Sequence, residues 1–475
     1  MNLKWILSAV LLFSLQTNAQ TGYQINVTLK PFNKGYLFLA FYYGKKQMLV
    51  DSAAINANSQ AIFKGKENLK PGIYLVAFPK KDGWFEMIID KEQRFSVVAD
   101  SADLINKISF TGSPDNNLFS QYQKFVGEAG REMNALQQKY NTATSKIDSS
   151  QWLAKLVDKN KSIQVFRETF AKTNPKHLLT SIFNVMAEPQ IPKSLKDSTA
   201  IYYYFKNHYW DKINLTDNRL IRTPIFEGKL NKYFDEIINQ DPDTIKVAVD
   251  DILIGARANK DMFQYFLANF ADKYVNPKYM GQDAVFVHLF QKYFVSGQAD
   301  EWMNEKYKKF IFDRGYSMMA NIIGEKGADL TMVDINGKPT NLYGVQAPFT
   351  IVCFWDPTCS HCQAEVPKLD SLYQNSWKAK GIKMYGVMTD GGLDKWKAFI
   401  KEHHLNDWIH VYQTPELKEK EAASGKPGFR QLYDVYQTPM IYVLDQEKHI
   451  LAKKLSYDQL SDFLTYKLKN KEDKK

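Results

Sequence analysis

The spacing of apolar and polar positions changes period twice along the chain, and the changes mark three stretches. In residues 21 to about 112, short segments with alternating or continuous apolar residues lie at 23–29, 36–43, 47–55, 73–78, 84–89 and 95–99. They are separated by Gly35, Gly44, Pro71-Gly72, Asp82-Gly83 and Gly112-Ser113-Pro114. Strand-length segments with turn residues at this spacing predict a small sandwich or barrel. From Asn116 to about Ile323, apolar residues recur three and four apart, as in 119–126, 152–170, 225–238 and 262–270. That period predicts amphipathic helices, with breaks at Pro175, Pro189, Pro192, Pro224, Pro242 and Pro277. Past Gly324 the two patterns interleave. Asn336-Gly337 reads as a hairpin turn between 331–334 and 339–342. Strand 349–355, a helix from Cys359, strand 382–388, helix 393–402, strands 409–412, 440–444 and 450–454, and a closing helix from Asp458 complete the stretch. Strands alternating with helices predict a mainly central sheet covered on both faces. The expected organisation is a multidomain chain: a small all-β domain at 20–114, an α-helical domain at 115–324 and an α/β domain at 325–475.

The first residues stand outside these patterns. Lys4 precedes an apolar run at 5–15, and Thr17-Asn18-Ala19 offers small or polar residues ahead of Gln20. This is the layout of a cleaved signal peptide at 1–19, since the run falls short of the roughly 20 residues a spanning helix needs. No cysteine lies near the cut to carry a lipid, and no later stretch resembles a membrane span. The mature protein is therefore expected to be exported and periplasmic.

Composition adjusts this picture only slightly. The apolar fraction of 44% suits well-filled globular domains. The net charge of +10 comes from lysines spread along the whole chain, which argues for solubility and against a nucleic-acid partner. The aromatic cluster Tyr202-Tyr203-Tyr204-Phe205 with His208-Tyr209-Trp210 reads as helix faces packing a core, ahead of a ligand platform.

The chemistry concentrates in the cysteines. There are three, Cys353, Cys359 and Cys362, all within ten residues. A disulfide-stapled secreted scaffold would scatter an even number along the chain. In Trp355-Asp356-Pro357-Thr358-Cys359-Ser360-His361-Cys362, a strand ends and the first cysteine lands at the start of a helix. Free N–H groups and the helix dipole there lower a thiol pKa below its free value of about 8.5. Cys362, one turn on, reaches the same sulfur from inside. Cys359 is thus expected to attack and Cys362 to resolve. A zinc site would need two more ligands, and only Cys353 and scattered histidines remain. A c-type haem attachment would need a histidine where Gln363 stands. No metal and no cofactor is expected.

This segment resembles the active site of the thioredoxin superfamily, and most closely its exported TlpA/ResA-type branch. Glu365 and Pro367 match that branch's C-x-x-C-x-x-E-x-P run, and Thr438-Pro439 stands in the place of the superfamily's cis-proline, approached by Tyr433-Asp434-Val435-Tyr436. The resemblance covers about 325–475 and implies a thioredoxin-like fold with a redox-active dithiol. The two upstream stretches are similar, more loosely, to the β and helical domains attached to many such proteins. Thr358 stands where thioredoxins usually have tryptophan, and Cys353 replaces their buried acid. Glu365 is accordingly expected to take the proton from Cys362, and His361 to stabilise the Cys359 thiolate. Cys353 reads as a small buried hydrophobe. Trp355, Ser360, Thr438 and Pro439 are expected to surround the dithiol.

The resemblance implies exchange with thiols or disulfides of exported proteins, and an upstream redox partner. Two alternatives stay open. A peroxiredoxin would need threonine three residues before the nucleophile, where Asp356 stands. A partner-binding protein would use the upstream domains, with the redox pair as an accessory.

Overall fold

The computed structural model describes residues 22–472, so the expected signal peptide at 1–19 lies outside the described residues. The chain forms two compact units, divided between Ile237 and Ile238.

The first unit begins with eight strands, β1 (Tyr23–Lys30), β2 (Tyr36–Tyr43), β3 (Lys46–Ala54), β4 (Gln60–Gly65), β5 (Gly72–Ala77), β6 (Trp84–Ile89), β7 (Arg94–Asp100) and β8 (Ser109–Thr111). They make two four-stranded sheets, ordered β4-β1-β7-β8 and β3-β2-β5-β6. The alternation in β1 shows why: Ile25, Val27 and Leu29 are buried and meet Leu37 and Leu39 of the other sheet in one core. Of the two forms expected, the structure is the sandwich. Strands β4 and β8 are additions to the sequence reading. In β4 only Ala61 and Phe63 point inward between exposed Gln60, Ile62 and Lys64, and β8 is three residues long.

Helices α1 (Pro114–Asn141), α2 (Lys146–Thr173), α3 (Leu178–Met186), α4 (Ser198–Asn207) and α5 (Phe226–Lys232) follow. Buried Asn116 ties α1 to the sandwich, accepting from the Ile88 N–H and donating to the Ile88 carbonyl, both at 2.8 Å. The reading of the aromatic cluster as core needs correction: α4 buries none of its residues, and Tyr203 is 52% exposed. A run of four aromatic residues encircles a helical turn, so it cannot all face inward. Tyr209, beyond the helix, is buried, stacking on Tyr233 at 5.2 Å with the Lys229 ammonium 3.9 Å above its ring.

The second unit opens with helices α6 (Pro242–Ala256), α7 (Lys260–Val275), α8 (Asp283–Leu289) and α9 (Glu305–Met319). The α/β part adds β9 (Met332–Asp334), β10 (Pro339–Thr340), β11 (Phe349–Trp355), α10 (Ser360–Leu372), β12 (Lys383–Met388), α11 (Leu393–Glu402), β13 (Ile409–Tyr412), α12 (Pro415–Ala423), α13 (Phe429–Leu432), β14 (Met440–Asp445), β15 (Ile450–Lys453) and α14 (Tyr457–Glu472). The seven strands are ordered β10-β9-β13-β12-β11-β14-β15. Central β11 runs parallel to β12 and antiparallel to β14. All seven of its residues are buried, which explains its unbroken apolar run. Ile351, Cys353 and Trp355 join the core on one face, with Trp396 and Leu460, while Val352 and Phe354 join Phe429 and Tyr433 on the other. The β9–β10 hairpin turns at Gly337, whose φ of 82° favours glycine. Helix α12 went unread because it buries no residue and so has no apolar period.

The edge strand β15 is covered. The Gly324 N–H donates to the Ile450 carbonyl, the Ile450 N–H donates to the Glu325 carbonyl, and the Lys453 N–H reaches Met280 Sδ at 3.5 Å. Lys453 also pairs with Asp283 and donates to the backbone and side-chain oxygens of Asn321 at 2.6 and 2.7 Å. Residues 238–323 are helical, as their period predicts, and they share one compact unit with the sheet.

Candidate active site

Strand β11 delivers the chain to its end at Trp355, and the next residues form a short hydrogen-bonded loop. Asp356 Oδ1 accepts from the Thr358 N–H and hydroxyl, both at 2.7 Å. The Cys359 N–H donates to the Asp356 carbonyl at 3.2 Å. Gln363 reaches back from the helix to donate to the Pro357 carbonyl at 2.9 Å. Cys359 thereby becomes the N-cap of α10, with extended backbone, and its carbonyl accepts from Gln363 as the first helical bond. Gly391, in the loop after β12, packs against this turn. A Cβ there would stand 2.4 Å from Asp356 Oδ1 and 2.8 Å from Pro357 Cγ, at a φ of 91° that side chains avoid.

The two sulfurs meet opposite environments. Burial acts to raise the Cys359 thiol, but hydrogen bonds from the Cys362 N–H, the Thr438 side chain and the His361 N–H outweigh it, and the net shift is downward. The contribution of His361 comes through its backbone; its imidazole is exposed. Cys362 is fully buried, and burial pushes its thiol up to about 12 against two opposing bonds, one from the Asp356 N–H at 3.4 Å from Sγ and one with the Thr438 side chain. Cys353 is buried on β11, its thiol held well above the ordinary range by burial first, then by Cys362 and Glu365. All three cysteines are free thiols.

A second segment closes over the sulfur. The Thr438–Pro439 peptide is cis, and the Thr438 carbonyl lies 3.5 Å from Cys359 Sγ, which donates to it. Upstream of it, Asp434 adopts a left-handed φ of 49° and is 1% exposed. Arg314 of α9 donates to both of its carboxylate oxygens, and Lys454 donates at 2.6 Å. The same guanidinium sits 4.7 Å above the ring of Tyr436, two residues before Thr438.

The structure therefore brings Cys359, Cys362, Thr438 and Pro439 together. Trp355 backs them from within the core, packed on Phe399 at 5.2 Å and near Trp396 and His410. Ser360 is exposed on the first turn of α10, and Glu365 is half-buried one turn beyond Cys362. Two contributors escaped the sequence reading. Asp356 carries a local signal, a turn-forming acid between a strand and the first cysteine. Arg314 carries none, standing 120 residues from its partner. Among the described residues, the one grouping with metal-ligand geometry is Asp445, Glu447 and His449, which includes no cysteine.

The redox stretch and the two upstream stretches each have counterparts among known proteins. Residues 323–453 match the AhpC/TSA family, residues 23–119 a domain of unknown function (DUF4369) and residues 130–313 another (DUF5106). Among curated relatives, the thiol-disulfide oxidoreductase ResA of Bacillus thuringiensis subsp. konkukian is 21% identical over 145 residues, 30% of this chain and 76% of the relative. ResA of Bacillus cereus strain ZK is 26% identical over 131 residues, 28% of this chain and 68% of the relative. Among solved structures, a domain of a possible thiol-disulfide isomerase from Cytophaga hutchinsonii is 36% identical, covering 32% of this chain and 97% of that one, with a TM-score of 0.28. A thioredoxin-like protein from Bacteroides caccae is 22% identical, covering 59% of this chain and 98% of that one, with a TM-score of 0.47. Strand β11, the cysteine-capped helix that follows it, the family match and the ResA relatives together make residues 323–453 a thioredoxin-like domain of the AhpC/TSA family, homologous to the ResA thiol-disulfide oxidoreductases.

Proposed function

We propose that the protein is an exported, periplasmic thiol–disulfide oxidoreductase that reduces disulfides of exported proteins through Cys359 and Cys362. The observation that carries this reading is the split between the sulfurs: a half-exposed thiol shifted down at a helix cap, and a buried one pushed up to about 12 directly behind it. The Cys359 thiolate attacks one sulfur of a substrate disulfide. A Cys359–substrate disulfide forms, and the other substrate sulfur leaves as a thiolate that takes up a proton. Cys362 then loses its proton to Glu365 and attacks Cys359 Sγ, releasing the second substrate thiol. The substrate gains two electrons and two protons, and the enzyme is left with a Cys359–Cys362 disulfide for an upstream reductant to reopen. The peroxidase alternative finds less support, because Asp356 occupies the position its threonine would need and its carboxylate already holds Thr358. Among the described residues no helix is long and apolar enough to cross a membrane.

The test is reduction of insulin disulfides by dithiothreitol with the full chain present. A rate above the uncatalysed one is expected, and it should vanish in Cys359→Ser. A folded parent protein with no rate above background would overturn the reading.

A further inference from the structure

A groove of roughly 670 Å³ lies beside the redox centre, and its two sides come from different parts of the second unit. One side is Tyr436 and Gln437, the residues immediately before Thr438, whose carbonyl touches Cys359 Sγ. The other is helical: Tyr279 and Met280 between α7 and α8, and Phe310 and Arg314 on α9. Tyr279, Met280, Phe310 and Tyr436 are 46%, 44%, 42% and 67% exposed, a concentration of large apolar side chains that single-residue exposure does not explain. Most of the charged groups around them are matched, while Lys278 stands exposed beside Tyr279. Asp434 pairs with Arg314 and Lys454, and Asp283 with Lys453. What the groove offers a ligand is therefore aromatic and thioether surface bordered by Lys278 and amide side chains, on a wall fixed to the sheet by those pairs and by Met280 against the Lys453 N–H.

We infer that this groove is a specificity site for an extended segment of the protein substrate, and that it takes a large apolar side chain two residues from the substrate's reactive cysteine. The inference rests on the oxidoreductase reading above. A substrate cysteine joined to Cys359 must sit opposite Thr438. In an extended chain, residues two apart point to the same face about 6.6 Å from one another. Tyr436, two residues before Thr438, lines the groove, so the second substrate residue along is the one within reach of its mouth. The helical stretch ahead of the redox domain thus selects substrates, while the domain itself carries the sulfur chemistry.

The experiment uses the reduced full chain and four synthetic peptides, each with one cysteine held in a mixed disulfide with thionitrobenzoate. Phenylalanine or serine stands two residues before or two residues after the cysteine, and release of the coloured thiol gives kcat/KM. The phenylalanine peptide should react about tenfold faster than its serine counterpart in at least one of the two directions, the low side of what burying such a side chain gives. In Phe310→Ala that ratio should fall to about threefold or less. Tyr279→Ala is a second, independent variant with the same expected direction. The ratio is unaffected by a uniform loss of active protein. Equal rates for all peptides, or a ratio unchanged in both variants, would overturn the groove and leave the oxidoreductase reading standing. No reaction with any peptide would overturn both.

Discussion

Two segments meet at Cys359, and they are held in place in opposite ways. The turn from Trp355 to Gln363 is built almost wholly from itself: Asp356 caps Thr358, Gln363 caps Pro357, and the helix supplies the N–H groups that draw the thiol down. The loop from Tyr433 to Pro439 depends on a distant residue. Arg314 of α9 grips Asp434 and covers Tyr436. The difference teaches that the sulfur's reactivity is set mainly by nine residues together with the Thr438 side chain, whereas the loop that carries Thr438 is held by a helix outside the redox fold. Local hydrogen bonds cost little chain entropy to form, while the Arg314 pair needs both elements already assembled.

Mutations separate the two. The largest effect is expected on the self-contained side. Cys359→Ser should bring exchange down to the uncatalysed background, and Cys362→Ser should accumulate a stable mixed disulfide visible on non-reducing gels. In the parent, alkylation of Cys359 should persist at pH values below the roughly 8.5 of a free thiol, because its pKa is lowered. Alkylation that declines on the free-thiol curve would remove the argument from the helix cap.

Next comes the remote side. Arg314→Ala leaves Asp434, 1% exposed, with Lys454 as its remaining charged partner, and should destabilise the second unit by about 3 kcal/mol. Arg314→Lys should recover only part of this, since an ammonium cannot span both carboxylate oxygens. Denaturant melts followed by tryptophan fluorescence would measure both variants. A loss below about 0.5 kcal/mol would mean that the loop holds itself.

An effect of similar size, but dependent on pH, is expected behind the site. His410 packs against Trp355, Trp396 and Trp408, and its Nε2 donates to the Leu405 carbonyl at 2.8 Å. Burial lowers its pKa from 6.5 to about 4. The unfolded chain therefore binds a proton between those values that the folded one does not, so this group's stability is full above pH 6.5 and lost as pH falls toward 4. The loss should approach about 3 kcal/mol, read as the difference in pH dependence between the parent and His410→Gln.

The smallest effect is expected at Glu365. Glu365→Gln should leave the first attack nearly unchanged and slow resolution by about tenfold, low for a general base because the carboxylate is half-buried. Resolution at the parent rate between roughly pH 6 and 8 would assign the proton to water.

The same division explains what could be read from sequence. Strand β11 and helix α11 were legible because an unbroken apolar run and a clean helical period are local signals, and the cysteine pair was legible because its turn is. The N-terminal sandwich was legible from its alternation, except at β4 and β8, where few residues face the core. Helix α12 buries nothing, and the aromatic run of α4 marked a helix without marking its inner face. Arg314 was invisible, since nothing near residue 314 announces a partner at 434.

Cys353 gives the protein a built-in reporter. Its sulfur is as deeply enclosed as that of Cys362, but it has no part in the exchange proposed here. Under native conditions a thiol reagent should mark Cys359 within its first phase and Cys362 far more slowly. Cys353 should become available only when β11 itself comes out of the sheet. The third equivalent of label therefore reports openings of the central strand without any engineered cysteine. The ratio of the first to the third labelling rate compares the chemistry of the cap with the breathing of the core in a single tube.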